Sequence, residues 1–168
     1  MKKEAGKYRF LYRFLIKTAI FAAAAYILLA CVLKITLVSG NRMSPFVRDG
    51  DLGIFYRLEN IYLNDVVIYE NAVGQEQIGR IVASGGQIVN FPEQGGYTVN
   101  EYQPAEEVPY ETYQSENGNV TYPLELAEGE YFILNDFRNI TDDSREQGVI
   151  SREQIKGKLL FLMRHRGF

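Results

Sequence analysis

Hydrophobic positions form one continuous run near the N-terminus and short alternating runs in the rest of the chain. No residue from Thr18 to Leu33 is charged, and after Lys34 the apolar run continues to Val38, giving 21 residues in all. About 20 apolar residues cross a bilayer as a helix, so the sequence predicts a transmembrane anchor over residues 18–38. Lys34 falls near its outer end, where a long side chain carries the ammonium group to the interface.

Basic residues precede this run at Lys2, Lys3, Lys7, Arg9, Arg13 and Lys17. Because Lys and Arg accumulate on the cytoplasmic side of membrane helices, we predict a single-pass protein of the cell membrane. Residues 1–17 are then cytoplasmic and residues 39–168 extracytoplasmic. Two alternatives stay open: a cleaved secretory signal peptide, and a lipoprotein cleavage site before Cys31, in the tetrapeptide Leu-Leu-Ala-Cys.

Residues 39–168 show apolar or alternating runs between Gly and Pro turns, a pattern typical of β-strands. Val, Ile, Tyr and Phe dominate these runs and pack well on a pleated surface. The predicted strands are residues 52–56, 65–69, 77–82, 87–91, 97–100 and 130–134, with a helical turn at 151–154 and a closing strand at 157–163. Residues 101–123 are polar and are predicted to form an excursion carrying one or two edge strands. The fold class is therefore mainly β.

Charge differs between the two parts of the chain. Residues 1–40 carry seven Lys or Arg against one Glu, whereas residues 41–168 carry eleven against twenty Asp or Glu. Nucleic acid is an unfavourable partner for so acidic a domain, because phosphates require a basic surface. Cys31 and His165 are the only cysteine and histidine, so we predict no disulfide, no metal site and no cofactor.

Four segments carry a family resemblance. Residues 40–51 have the sequence GNRMSPFVRDGD, 64–69 NDVVIY, 78–87 IGRIVASGGQ and 135–145 NDFRNITDDSR. In that order, they resemble G-x-S-M-x-P-T-L-x-x-G-D, G-D-I-V-V-F, I-K-R-V-I-G-L-P-G-D and G-D-N-R-x-x-S-x-D-S-R of type I signal peptidases. Any one match is weak evidence, but four in the family's order behind a positively flanked anchor are strong evidence. The resemblance implies a signal peptidase I-like β-rich domain.

The family removes signal peptides with a serine nucleophile and a lysine general base, and the resemblance places these two at Arg42 and Gly79. Arginine has no hydroxyl and stays protonated, and glycine has no side chain. The sequence therefore predicts a vacant catalytic dyad and a chain that is not a peptidase. The alternative is an active peptidase that uses Ser44, which would lie roughly 6–7 Å from position 42 in an extended segment. Its base would have to come from Lys156, Lys158, His165 or an aspartate such as Asp136, Asp142 or Asp143.

The resemblance also assigns roles to other residues. Met43, Pro45 and Arg80 are predicted to line a substrate groove. Structural braces are predicted at Asp136, Arg138, Asp143, Ser144 and Arg145. For Arg42 two roles stay open: a structural ion pair with a nearby carboxylate, or a direct grip on a bound chain.

These features lead to one functional hypothesis and two alternatives. An extended segment of a secreted or membrane-anchored protein would pair with an exposed sheet edge, which needs no nucleophile. Catalytically vacant relatives beside Gram-positive pilus genes assist pilin assembly with sortases, so the resemblance suggests pilin subunits and a sortase as partners, together with the lipid bilayer. The alternatives are the Ser44 peptidase and a membrane-tethered domain with only a structural role.

Overall fold

The computed structural model describes residues 2–58, 60–105, 108–118 and 120–164, without the side chains of residues 2–7. His165 lies outside the described residues. The chain begins with helix α1 (Lys2–Ile27), which a π-helical turn (Leu28–Val32) continues. Within the described residues, Tyr8–Val32 is long and apolar enough to cross a membrane, and none of its most apolar part is buried in the protein. The segment contains no Gly or Pro, so nothing in its sequence breaks the helix.

The helix ends before the predicted outer end of the anchor at Val38. Strand β1 (Leu33–Leu37) begins directly after the π-helical turn and pairs antiparallel with β2 (Leu52–Tyr56). The β-branched residues Ile35 and Thr36 favour the strand conformation, and pairing with β2 satisfies the main-chain groups that a longer helix would have bonded internally. This corrects the predicted helix boundary and places Lys34 in the sheet.

The other strands complete one curled antiparallel sheet and one small sheet. They are β3 (Val66–Glu70), β4 (Glu76–Ser84), β5 (Ile88–Asn90), β6 (Thr98–Val99), β7 (Leu124–Glu125), β8 (Glu130–Leu134), β9 (Ile150–Ser151) and β10 (Ile155–Met163). The large sheet has the order β1-β2-β10-β3-β4-β8-β9, and the small sheet has the order β6-β5-β7. Helix α2 (Ser144–Gln147) precedes β9, and a 3-10 turn (Arg152–Gln154) precedes β10. The predicted mainly β fold behind one apolar helix is confirmed.

Two predicted features differ from the structure. The closing strand is β10, which begins earlier than predicted and lies inside the sheet between β2 and β3. The edge strands predicted within residues 101–123 are wrong for the described part of that segment, which contains only an isolated bridge between Val99 and Tyr102. Its main chain instead bonds to neighbouring loops: the Gly96 N–H donates to the Thr112 carbonyl at 2.8 Å.

The core consists of three buried clusters. The first joins β4 and β8 to the small sheet, and the second packs β3, β4, β8 and β10 together. In the third, Met43 and Val47 pack with Val38 and Val66. The turn after β1 is therefore fixed to the sheet by two buried side chains, and this fixes the position of Arg42.

Candidate functional site

The segment that carries Arg42 forms turns, not the extended strand assumed for the Ser44 alternative. The Ser44 N–H donates to the Asn41 carbonyl at 3.0 Å, and the Val47 N–H donates to the Met43 carbonyl at 2.8 Å. The Phe137 N–H also donates to the Arg42 carbonyl at 2.8 Å, which ties the turn to the loop after β8. The estimated separation of residues 42 and 44 along an extended strand therefore does not apply.

Arg42 forms a bidentate ion pair with Asp142. The Arg42 Nε lies 3.1 Å from Oδ1 of Asp142, and Nη2 of Arg42 lies 2.6 Å from Oδ2. The hydrogen bond to Asp142 is the main cause that raises the pKa of Arg42 above its ordinary value, against the opposing effect of burial. About a third of each side chain is exposed, so the guanidinium is accessible and permanently charged. Such a group cannot deliver a nucleophile or accept a proton.

Gly79 lies in β4 where no side chain fits. A Cβ at this position would lie 2.4 Å from the Cγ2 methyl of Ile133 and 3.2 Å from the ring of Tyr69. Ile133 and Tyr69 are themselves almost completely buried. The space that a lysine side chain would need is therefore filled by two core residues.

A polar network surrounds this packing. The Tyr69 hydroxyl donates to Oε1 of Gln77 at 3.0 Å, and the Gln147 amide donates to the same oxygen at 3.1 Å. Burial is the main cause that raises the pKa of Tyr69, so its phenol stays protonated. Asn135 donates to Asp142 at 3.1 Å. The network holds Asp142 in place opposite Arg42 and supplies no free base.

A groove runs between two strand segments that lack a partner on one side, and we call it the strand groove. One wall is residues 36–38, at the end of β1, and the other is residues 76–78, at the start of β4. Arg42 and Met43 line the groove between these two walls. β1 is an edge of the large sheet, and β4 pairs with β8 only from Arg80 onward. The ion pair between Lys34 and Glu76 links the two walls. Its cavity has a volume of about 170 Å³.

The three residues predicted to line one groove are divided between two places. Met43 is only 2% exposed and lines the strand groove from the core. Pro45 and Arg80 instead line a separate cavity of about 600 Å³, together with Phe46, Arg48, Asp136 and Arg164, and we call it the arginine cavity. The backbone turn after Arg42 separates the two, because Met43 points into the core and Pro45 is exposed.

Two of the residues predicted as braces form a buried ion pair in the loop that carries Asp142. Asp143 and Arg145 form an ion pair at 2.7 Å, with both side chains fully buried. Arg145 also donates to the Arg138 and Ile140 carbonyls at 2.8 and 2.7 Å. Burial is the main cause that raises the pKa of Asp143, and its bonds to Arg145 oppose that effect. These contacts fix the loop that carries Asp142.

The other braces connect strands to this loop. The Ser144 hydroxyl accepts a hydrogen bond from the Ile133 N–H at 2.9 Å. Asp136 accepts two bonds from Arg80, at 2.8 and 2.6 Å. Arg138 is buried and donates to the Asn135 carbonyl. Each of these side chains has a structural partner, and among the described residues none of them is hydrogen-bonded to Ser44.

No hydrogen bond joins Ser44 to a base among the described residues. Its hydroxyl makes no hydrogen bond to another described group. Lys156 pairs with Glu70 at 3.0 Å, and Lys158 pairs with Asp65 at 3.1 Å. A nucleophilic serine requires a base within hydrogen-bond reach, and Lys156 and Lys158 are each paired with a carboxylate instead.

Sequence reasoning missed several residues of the site. The sequence predicts Asp142 only as a candidate base. The role of Ile133 in filling the space beside Gly79 has no sequence signal, because it depends on the pairing of β4 with β8. The pair between Lys34 and Glu76 also joins residues that are distant in sequence. Among the described residues, no group of three His, Cys, Asp or Glu side chains is arranged to hold a metal ion.

Comparisons with known proteins place the chain in a family. Signal peptidase IB of Staphylococcus aureus strain Mu50 is 23% identical over 168 residues, which covers 88% of each chain. The corresponding protein of strain COL is 22% identical over 160 residues, covering 83% of this chain and 84% of the relative. A crystal structure of a signal peptidase I from Enterococcus faecalis V583 has a similar fold, with a TM-score of 0.50, 22% identity, and coverage of 60% of this chain and 97% of that chain. The model of the family "Signal peptidase, peptidase S26" matches residues 11–163, and the chain therefore belongs to the signal peptidase family.

Proposed function

We propose that this chain is a membrane-anchored, non-catalytic member of the signal peptidase family that binds an extended segment of a secreted or surface protein without cutting it. The observation that carries the proposal is the state of the two positions matched to the dyad. Arg42 is held in an ion pair by Asp142, and the space beside Gly79 is filled by Ile133. Serine attack needs a hydroxyl and a neutral base at one point, and neither position supplies one.

The strand groove supports the binding half of the proposal. Its two walls carry main-chain groups that no described strand pairs, on β1 and on the first part of β4. An extended segment between them would gain hydrogen bonds on both sides, as in other cases of β-strand addition. The nucleophile has no part in this pairing, so binding survives its loss.

Pilin subunits are the proposed clients, with a sortase as a neighbour in the same assembly. This part rests on the resemblance to catalytically vacant relatives beside Gram-positive pilus genes. The apolar segment Tyr8–Val32 would hold the protein in the cell membrane, with its N-terminus in the cytoplasm and the groove on the outer side. A client still anchored in the same membrane would then meet the groove at a high effective concentration.

The first test combines cleavage and binding. Purified full-length protein in lipid vesicles is incubated with a secretory preprotein, with S. aureus signal peptidase IB as the active reference and mass spectrometry as the readout. We expect product only from the reference, while fluorescence anisotropy shows that an extended peptide of small apolar residues binds this chain. Cleavage that disappears in Ser44→Ala would overturn the proposal in favour of the active peptidase. Absence of both cleavage and binding would favour the third alternative, a membrane-tethered domain with only a structural role.

The client is tested by site-specific crosslinking. A photoreactive phenylalanine analogue at Thr36, which lines the strand groove, is compared with the same analogue at Val73. Val73 is 75% exposed on the turn between β3 and β4, so it reports chance encounters. We expect a pilin precursor to crosslink at position 36 and an unrelated preprotein to crosslink much less. Equal crosslinking at both positions would contradict a pilin client in the groove.

A further inference from the structure

The arginine cavity is positively charged within a domain that is acidic overall. Its described lining contains Arg48, Arg80 and Arg164 against the single carboxylate of Asp136. Residues 41–168 as a whole carry eleven Lys or Arg and twenty Asp or Glu. A concave basic site in an acidic surrounding concentrates anions locally, so this cavity stands out from the rest of the surface.

Two of the three arginines are available for a ligand. Arg80 is held by Asp136 and packs over the ring of Phe46 at 5.0 Å. Arg48 and Arg164 are exposed, and their guanidinium groups pair with no carboxylate among the described residues. A guanidinium presents several N–H donors in a plane and binds carboxylates well. The paired Arg80 thus forms the floor of the cavity, and the two others supply its free positive charge.

The cavity adjoins the strand groove through one short turn. Arg42 and Met43 line the groove, whereas Pro45 and Phe46 line the cavity. Consecutive Cα atoms are about 3.8 Å apart, so the two sites lie within roughly 15 Å along this turn. An extended chain rises about 3.3 Å per residue. If one residue of an extended segment lies beside Arg42 in the strand groove, a residue about two to four positions further along the segment therefore reaches the arginine cavity.

We propose that the arginine cavity binds acidic side chains of the client, located about two to four residues beyond the part that lies in the strand groove. This inference rests on the proposed function and names the kind of segment that the protein selects: an extended, small-residue stretch flanked by Asp or Glu. Arg48 and Arg164 are the residues that determine this preference.

The test measures peptide affinity with the full-length protein in phosphatidylcholine nanodiscs. Four fluorescent peptides share one extended core of alternating small residues. One peptide carries a Glu pair two to four positions before the core, and another carries it two to four positions after the core. Each of these two has a twin with a Gln pair at the same positions. We expect one acidic peptide to bind about three- to tenfold more tightly than its Gln twin, as exposed charge pairs contribute modestly. Arg48→Gln together with Arg164→Gln should bring that ratio within about twofold.

Arg57→Gln is the matched control. Arg57 is exposed and follows β2 at the end that pairs with Leu33, whereas Arg164 follows β10 at the end that pairs with Leu52. Loss of discrimination in Arg57→Gln as well would mean general electrostatic attraction and would overturn the site. Equal binding of acidic and neutral peptides would overturn this inference alone, whereas no binding of any peptide would overturn the groove function with it.

Two further arms identify other occupants. In the first, the nanodiscs contain phosphatidylglycerol. If this lipid abolishes the difference in affinity between the acidic and the Gln peptides, the cavity binds a lipid headgroup and the client site is overturned. Glu106 and Glu107 follow the lining residue Ala105 and lie outside the described residues. Discrimination that appears only after Glu106→Gln and Glu107→Gln would show that the chain's own carboxylates occupy the cavity, which also overturns the proposal.

Discussion

Gly79→Ala is the most direct test of how tightly the position matched to the catalytic lysine is closed. The φ of Gly79 lies outside the left-handed region, so alanine fits the backbone and would ordinarily stabilise the protein by reducing the freedom of the unfolded chain. The neighbouring atoms predict the opposite. The added methyl would lie 2.4 Å from Cγ2 of Ile133, well inside the contact distance of about 3.5–4.0 Å between carbon atoms.

The expected cost follows from the rigidity of the neighbour. Ile133 is β-branched, lies in β8 and is completely buried, so its methyl cannot rotate away freely. Overpacking a core by one methyl group costs about 1–3 kcal/mol, and we expect Gly79→Ala to lower the free energy of unfolding by that amount. Ile133→Ala removes the obstructing methyl but costs about 2–5 kcal/mol by itself. The double mutant should therefore be more stable than the sum of the two losses predicts, by about 1–3 kcal/mol.

Urea denaturation of the full-length protein in detergent micelles, followed by the near-ultraviolet circular dichroism of its tyrosines, measures these differences. Gly86→Ala is the control, because no atom lies within 4 Å of its Cβ position but its φ is +81°. Gly86→Ala should lower the free energy of unfolding by about 1 kcal/mol through backbone strain. Combined with Ile133→Ala, it should lower this free energy by the sum of the two single effects. A neutral or stabilising Gly79→Ala would refute the reasoning. It would also mean that Ile133 leaves room for a Cβ at position 79.

Three further predictions concern the surrounding charges. Arg42→Ala and Asp142→Ala should each lower the free energy of unfolding by less than about 1 kcal/mol, since the pair is one-third exposed, and the double mutant should lose no more than the sum; a larger loss in urea titrations would contradict this. Arg145→Met leaves Asp143 buried without its partner and should cost about 3–5 kcal/mol, so an unchanged denaturation midpoint would disprove the brace. Burial raises the pKa of Tyr69 in the folded state, so its contribution to stability is complete below the unfolded pKa of about 10 and falls as the pH rises above it. Tyr69→Phe should therefore lose less stability than wild type between about pH 9 and 11, and parallel losses would show that Tyr69 is not responsible.

Local sequence patterns were sufficient for several elements. The alternating run at residues 52–56 is strand β2, and the run at 130–134 is strand β8. Each is bounded by turn residues and carries β-branched or aromatic side chains, so its conformation follows from its own residues. Residues 33–38 could not be assigned in this way. An apolar run continuous with a helix has the same composition as an edge strand, and pairing with β2 decides between them.

The order of residues along the chain was enough to name the residues of the site, whereas the contacts that each of them makes depend on the folded protein. Order and spacing of four motifs were enough to predict the fold, and the resemblance they carry predicts that Arg42 and Gly79 stand at the positions of the family's catalytic pair. That Arg42 pairs with Asp142, and that Ile133 fills the space beside Gly79, depends on strands brought together from distant parts of the chain. The same is true of Met43 and Pro45, which are close in sequence and yet line different cavities. Residue identity is a local property, but distances between side chains are set by strand pairing and core packing, and these are properties of the whole fold.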